Sequence, residues 1–107
     1  MTQQLPTPVQ ASIDATNAGN LAGFLQTFTA DGAVDDWGRV FAGPSRITEW
    51  SDAEYIGKNM ILEVDSFSVE AELVTVIVTV GGDGFNGPST FTYALVDGKV
   101  ARMTIRE

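Results

Sequence analysis

The dipeptide Asp97-Gly98 separates two runs of strand-forming residues, Ser89–Val96 and Lys99–Arg106. Asp-Gly accepts the positive φ angles of a two-residue turn, so the runs should fold back as an antiparallel hairpin. In that register Val96 faces Lys99, and Tyr93 faces Arg102 as a cation–π pair. Upstream, Leu73–Val80 is rich in β-branched residues, and Met60–Ser68 alternates apolar with polar residues. A turn near Glu70-Ala71-Glu72 joins them, and the glycine-rich stretch Gly81–Pro88 leads into the hairpin. The back half therefore reads as four strands.

The front half carries helical periodicity instead. Thr7 can cap a helix that has Pro8 at its first position, Val9 and Ile13 on one face, and a stop at Asn17-Ala18-Gly19. Asn20 caps a second helix with an apolar stripe of Leu21, Phe24, Leu25 and Phe28, ending at Ala30-Asp31-Gly32. Ala33–Trp37 is extended, Gly38-Arg39 turns, and Val40-Phe41-Ala42 returns. Gly43-Pro44-Ser45 opens a third helix carrying Ile47 and Trp50. Ser51-Asp52-Ala53-Glu54 resembles a capping box, so this helix breaks there and restarts toward Gly57. Helices and strands are segregated, which predicts one α+β domain over residues 1–107, a curved antiparallel sheet wrapped over three helices. Such a sheet encloses a cone with an apolar pocket.

The residues that are missing bound the chemistry. The 107 residues contain no Cys and no His, which removes disulfides, thiolate nucleophiles, the Ser-His-Asp triad and the commonest transition-metal ligands. Neighbouring acidic residues in strands point in different directions, so no metal or nucleotide cofactor is expected. With 14 acidic and 6 basic residues the net charge is −8, which repels nucleic acid. No apolar run approaches the ~20 residues that span a bilayer. The leading Met1–Pro6 has neither a basic nor an apolar targeting segment, so a cytoplasmic protein is expected.

Four segments, in order, resemble one superfamily. Asn17-Ala18-Gly19-Asn20-Leu21 is similar to the junction of the first two helices in nuclear transport factor 2-like proteins. Phe28–Asp36 is similar to their step into the first strand, Gly43–Ile47 to the start of their third helix, and Asp97–Met103 to their final hairpin. The superfamily includes ketosteroid isomerases and SnoaL-like polyketide cyclases. The resemblance covers almost the whole chain and implies a cystatin-like cone, a pocket within it and frequent homodimers, but no single activity.

Asp36 is the candidate catalytic residue. The resemblance implies a carboxylate at the inner end of the first strand that moves protons beside a carbonyl. Alternation places Val34 and Asp36 on one face, while amphipathicity alone would favour Trp37 inward and Asp36 at a solvated rim. The expected placement is Asp36 inward, Trp37 near the mouth, and a carboxylate that desolvation pushes toward its neutral form. The oxyanion-hole acids of ketosteroid isomerases, a worked case of carboxyl tuning, are replaced by Ser12 and, at or near the late-strand position, Thr92. These weaker donors argue against isomerase chemistry.

Trp37, Phe41, Trp50, Tyr55 and Met103 are the candidate ligand-lining residues, with core packing as the alternative. Arg39 can pair with Asp35 or Asp36, while Glu49, Asp52 and Glu54 read as a solvated helix face. The expected function is binding of a small apolar or aromatic molecule. One alternative is a cofactor-free isomerase, cyclase or dehydratase using Asp36 as general base. Another is a dimeric protein-interaction module with a filled pocket. A homodimer is expected through the open sheet face, with Phe91, Tyr93, Leu95, Val100 and Arg102 as its patch.

Overall fold

A computed structural model describes residues 4–107. Met1–Gln3, part of the leading segment considered above, lie outside the described residues. Three helices, α1 (Thr7–Ala18), α2 (Leu21–Gln26) and α3 (Pro44–Glu54), pack on one face of a six-stranded sheet. The strands are β1 (Phe28–Asp36), β2 (Arg39–Ala42), β3 (Ile61–Glu70), β4 (Leu73–Gly81), β5 (Gly87–Val96) and β6 (Lys99–Arg106). A single turn of 3₁₀ helix, Ile56–Lys58, follows α3.

The expected α+β cone is present, with one correction to the sheet. Its order is β2-β1-β6-β5-β4-β3, and β1 runs parallel to β6. The other four neighbouring pairs are antiparallel. Hairpins and short loops dictate those antiparallel pairs, whereas β1 meets β6 only after the rest of the chain has been laid down. No turn constrains its direction.

Local signals mark most element ends. Gly19 closes α1 in the left-handed conformation, and Asn20 Oδ1 accepts from the Gly23 N–H at the start of α2. Thr7 does not cap α1 but lies inside it, behind Pro6. Helix α2 stops at Gln26 rather than running to Ala30, because Phe28 joins the sheet opposite Val100. Its ring still packs on Phe24, at 5.2 Å and 69°, so the apolar spacing marked a real contact between different elements. Ser51–Glu54 continues α3 instead of capping a new helix, and the break comes at Tyr55 (φ −129°, ψ −99°).

The final hairpin turns at Asp97-Gly98 with Val96 opposite Lys99, as expected. A bulge between Ala94 and Leu95 then shifts the register, so Tyr93 faces Met103 and Ala94 faces Arg102. Tyr93 is fully buried and Arg102 lies on the opposite face. The expected Tyr93–Arg102 pair does not form. Phe91, Tyr93 and Val100 belong to the core, which removes them from the outer patch suggested above.

Candidate functional site

The wide end of the cone holds a cavity of about 480 Å³. That is within the roughly 300–1,000 Å³ range of small-molecule sites. Trp50 and Tyr55 form one wall, stacked at 4.7 Å and 22°. Phe91 and Ile105 line it from the sheet, and Phe85 from the β4–β5 loop. Asp36, Arg39 and Glu54 stand at its mouth.

Backbone geometry explains how Asp36 and Trp37 are placed. Within β1, Val34 is fully buried and Asp36 follows on the same inner side. The turn is Trp37-Gly38, not Gly38-Arg39, and both residues have positive φ, 55° and 90°. Trp37 is therefore outside the strand alternation. It is 60% exposed at the cavity rim, near the mouth as expected.

Asp36 does not sit in the apolar surround expected of it. Its Oδ2 accepts from Arg39 at 2.6 Å and from the Trp50 indole N–H at 3.0 Å. Its Oδ1 makes no hydrogen bond among the described residues. Arg39 also donates twice to Glu54, at 2.9 and 2.8 Å, and holds the Glu54 carboxyl below its ordinary value. Glu54 is exposed on α3, as expected, and also completes a carboxylate–guanidinium–carboxylate row at the mouth. Its partner Arg39 comes from an edge strand distant in sequence, so no local spacing marks the pair.

Two expected lining residues are elsewhere. Phe41 lies behind Trp50, 6.2 Å between ring centres, with Arg39 and Arg46 over its ring. Met103 is fully buried opposite Tyr93 and does not reach the cavity. Both are apolar residues that serve packing. Phe91, Ile105 and Phe85 take their place, and nothing in their spacing separated them from other core residues.

Beneath the cavity wall lies a group of hydroxyls. Tyr55 Oη pairs with Thr16 Oγ1 at 3.1 Å. Ser12 Oγ and Tyr93 Oη are buried, and neither makes a hydrogen bond of good geometry among the described residues. Burial pushes the Tyr55 and Tyr93 phenols upward, so both stay protonated at neutral pH. Neither Ser12 nor Tyr93 lines the cavity, so neither hydroxyl faces Asp36 across it. Among the described residues, no group of three potential ligand side chains could hold a metal.

A family model described as the SnoaL-like domain matches residues 9–103. The chain belongs to the SnoaL-like domain family. A Sinorhizobium meliloti protein provisionally assigned as a polyketide cyclase is 26% identical to this SnoaL-like chain, with a TM-score of 0.87 over 95% of each chain. A Catenulispora acidiphila protein of ketosteroid isomerase-like fold, solved with trimethylamine, is 20% identical; its TM-score is 0.83 over 97% of this chain and 87% of its own. A Novosphingobium aromaticivorans protein of cystatin fold is 14% identical, with a TM-score of 0.83 over 99% of this chain and all of its own. No curated protein matches the sequence. Among the described residues of this SnoaL-like domain, no helix is long and apolar enough to cross a membrane.

Asp35, next in sequence to Asp36, points to the opposite face of the sheet. It accepts from Arg102 at 3.0 Å, Arg106 at 3.2 Å and the Gly38 N–H at 2.8 Å. The hydrogen bond from Arg106 does most to lower its pKa, from 3.8 to about 2, followed by that from Arg102. A depressed pKa contributes stability above the unfolded value that disappears as pH falls through the folded one. The Asp35 contribution is therefore complete above pH 3.8 and lost toward about pH 2. In urea unfolding, the stability difference between wild type and Asp35→Asn should be constant from pH 7 to 4 and shrink between 4 and 2. A difference that does not change over that window contradicts the assignment.

Proposed function

We propose that this SnoaL-like protein binds a compact, flat apolar molecule that presents one hydrogen-bond donor to Asp36. The carrying observation is an aromatic-walled cavity of about 480 Å³ whose mouth holds a carboxylate with one oxygen unbonded. Arg39 and the Trp50 N–H engage Oδ2, leaving Oδ1 to accept from a hydroxyl or amine. The open cavity favours this reading over an interaction module filled by side chains.

A second reading adds chemistry at the same place. Asp36 would then take a proton from carbon beside a ligand carbonyl, as a base in a cofactor-free isomerase, cyclase or dehydratase. The provisional cyclase assignment of the Sinorhizobium neighbour supports that class. The Ser12 and Tyr93 hydroxyls lie outside the cavity lining, so neither can hold an enolate there.

Trp50 makes binding observable. In dialysed protein, 2-naphthol should change the Trp50 fluorescence saturably, and the methyl ether of 2-naphthol should bind about tenfold more weakly, ~1.4 kcal/mol. Ala53→Trp, which fills the cavity, should abolish both responses. No saturable response to either compound, with native mass spectrometry finding only the bare chain, would overturn the reading.

A further inference from the structure

The residues that line the aromatic cavity are unbalanced in charge. Three acids, Asp36, Glu54 and Glu107, stand against two bases, Arg39 and Lys58. The excess is concentrated at the mouth. Strand register pairs Asp36, the last residue of β1, directly with Arg39, the first of β2. Glu54, the last residue of α3, reaches the same guanidinium from the helix layer. Two carboxylates therefore share one guanidinium, and one negative charge is left over. The Asp36 side chain is only 14% exposed, so water offsets little of that charge. Lys58 and Glu107 add one charge of each sign, and neither is in an ion pair among the described residues.

The walls suit a cation as well. Five aromatic side chains line the cavity: Trp37, Trp50, Tyr55, Phe85 and Phe91. An aromatic ring attracts a cation to its face through its quadrupole, and rings grouped around a small cavity form a cage for an organic ammonium. Trp37 and Phe85, at the rim, are both more than half exposed and so open to a ligand. The loop that carries Phe85 is tied to the 3₁₀ turn and the residue after it. The Asp83 N–H donates to the Lys58 carbonyl at 2.8 Å, and Asn59 Nδ2 donates to Asp83 Oδ2 at 2.7 Å. The Phe85 ring is thereby held beside the cavity before anything binds, which lowers the ordering cost of closing on a ligand.

Resting on the binding reading above, we infer that the group presented to Asp36 is a protonated amine, so that the site takes flat aromatic amines in preference to neutral alcohols and to acids. An ammonium N–H donates to the open Oδ1 and at the same time supplies the positive charge that Asp36, Arg39 and Glu54 lack between them. A neutral hydroxyl fills Oδ1 but leaves the excess charge in place. A carboxylate would face Oδ1 as a like charge, with Arg39 already engaged by both acids. At −8 the whole chain also draws cations toward it and repels anions. Glu54 has no need to touch the ligand. It sets the sign of the mouth through Arg39, and on that account it determines specificity.

The test is calorimetric titration of the intact protein with two ligands of one shape, 2-(aminomethyl)naphthalene as its ammonium and 2-naphthalenemethanol. The ammonium should bind at least about tenfold more tightly than the alcohol, and added salt should narrow the gap. Glu54→Gln keeps an acceptor for Arg39 but removes the excess charge. It should bring the ammonium down to the affinity of the alcohol and leave the alcohol unchanged, a split that a merely structural role would not produce. Circular dichroism checks that the variant is folded, and the wild-type comparison decides the matter if it is not. An alcohol that binds as tightly as the ammonium overturns the selection for charge and leaves the binding reading standing. So does an advantage of the ammonium that survives in folded Glu54→Gln. If neither ligand binds, both the selection and the binding reading fall.

Discussion

Tyr55→Ala should cost about 3–5 kcal/mol, the range for deleting a buried aromatic ring. Small domains have about 5–15 kcal/mol in total. The ring is fully buried and touches aromatic neighbours on three sides: Trp50 at 4.7 Å, Phe24 at 5.3 Å and Phe91 at 6.4 Å. These residues come from α3, α2 and β5, so one truncation loosens both helices from the sheet. The same ring is part of the cavity wall, and its removal should abolish ligand binding with the loss in stability. Tyr55→Phe separates the two contributions. It keeps the packing and loses only the bond with Thr16, whose hydroxyl still reaches the Ser12 carbonyl at 2.9 Å. Its cost should be about 1 kcal/mol. Urea unfolding measures both. An alanine variant within about 1 kcal/mol of wild type would show that the ring does not tie these elements together.

Tyr55 also shows what the sequence could and could not reveal. Its aromatic character suggested a place in the pocket lining, and the Ser51–Glu54 pattern suggested a helix break just before it. Past the break, Gly57 runs so close to Asp52 that a Cβ there would overlap the Asp52 carbonyl. That contact depends on the path of the backbone, and no periodicity encodes it. Val34 and Asp36 were legible as one face because a strand alternates every second residue. Trp37 escaped the same logic, since positive φ at two successive residues discards alternation. The Arg39–Glu54 contact joins an edge strand to a helix end and has no signature at short range. Phe41 and Met103 were chosen for being apolar, a property shared by residues that line a cavity and residues that pack behind one. The parallel pairing of β1 with β6 was hidden for a related reason: hairpin turns announce antiparallel neighbours, and a long-range parallel neighbour has no turn to announce it.

Asp36→Asn should leave the fold intact and remove any proton transfer at the site. The amide is isosteric, and its oxygen can still accept from the Trp50 N–H. The lost ion pair with Arg39 involves a half-exposed guanidinium that Glu54 continues to hold, so the cost in stability should be about 0–1 kcal/mol. Binding of 2-naphthol should weaken by about tenfold and no more, the same loss as for its methyl ether, because the amide nitrogen takes the place of the accepting Oδ1. Basicity, by contrast, is lost outright, because a carboxamide takes no proton at neutral pH. General-base catalysis contributes about 10²–10⁴-fold, and that is the decrease expected. The measurement is exchange of the carbon-bound α-protons of 2-tetralone, a flat bicyclic ketone, in deuterated water by nuclear magnetic resonance. Acceleration over buffer by wild type, and none by Asp36→Asn, would assign the proton to Asp36. Equal acceleration by both would take the base away from this residue. A wild type no faster than buffer would end the enzymatic reading and leave a binding protein, in which Asp36 orients a ligand without transforming it.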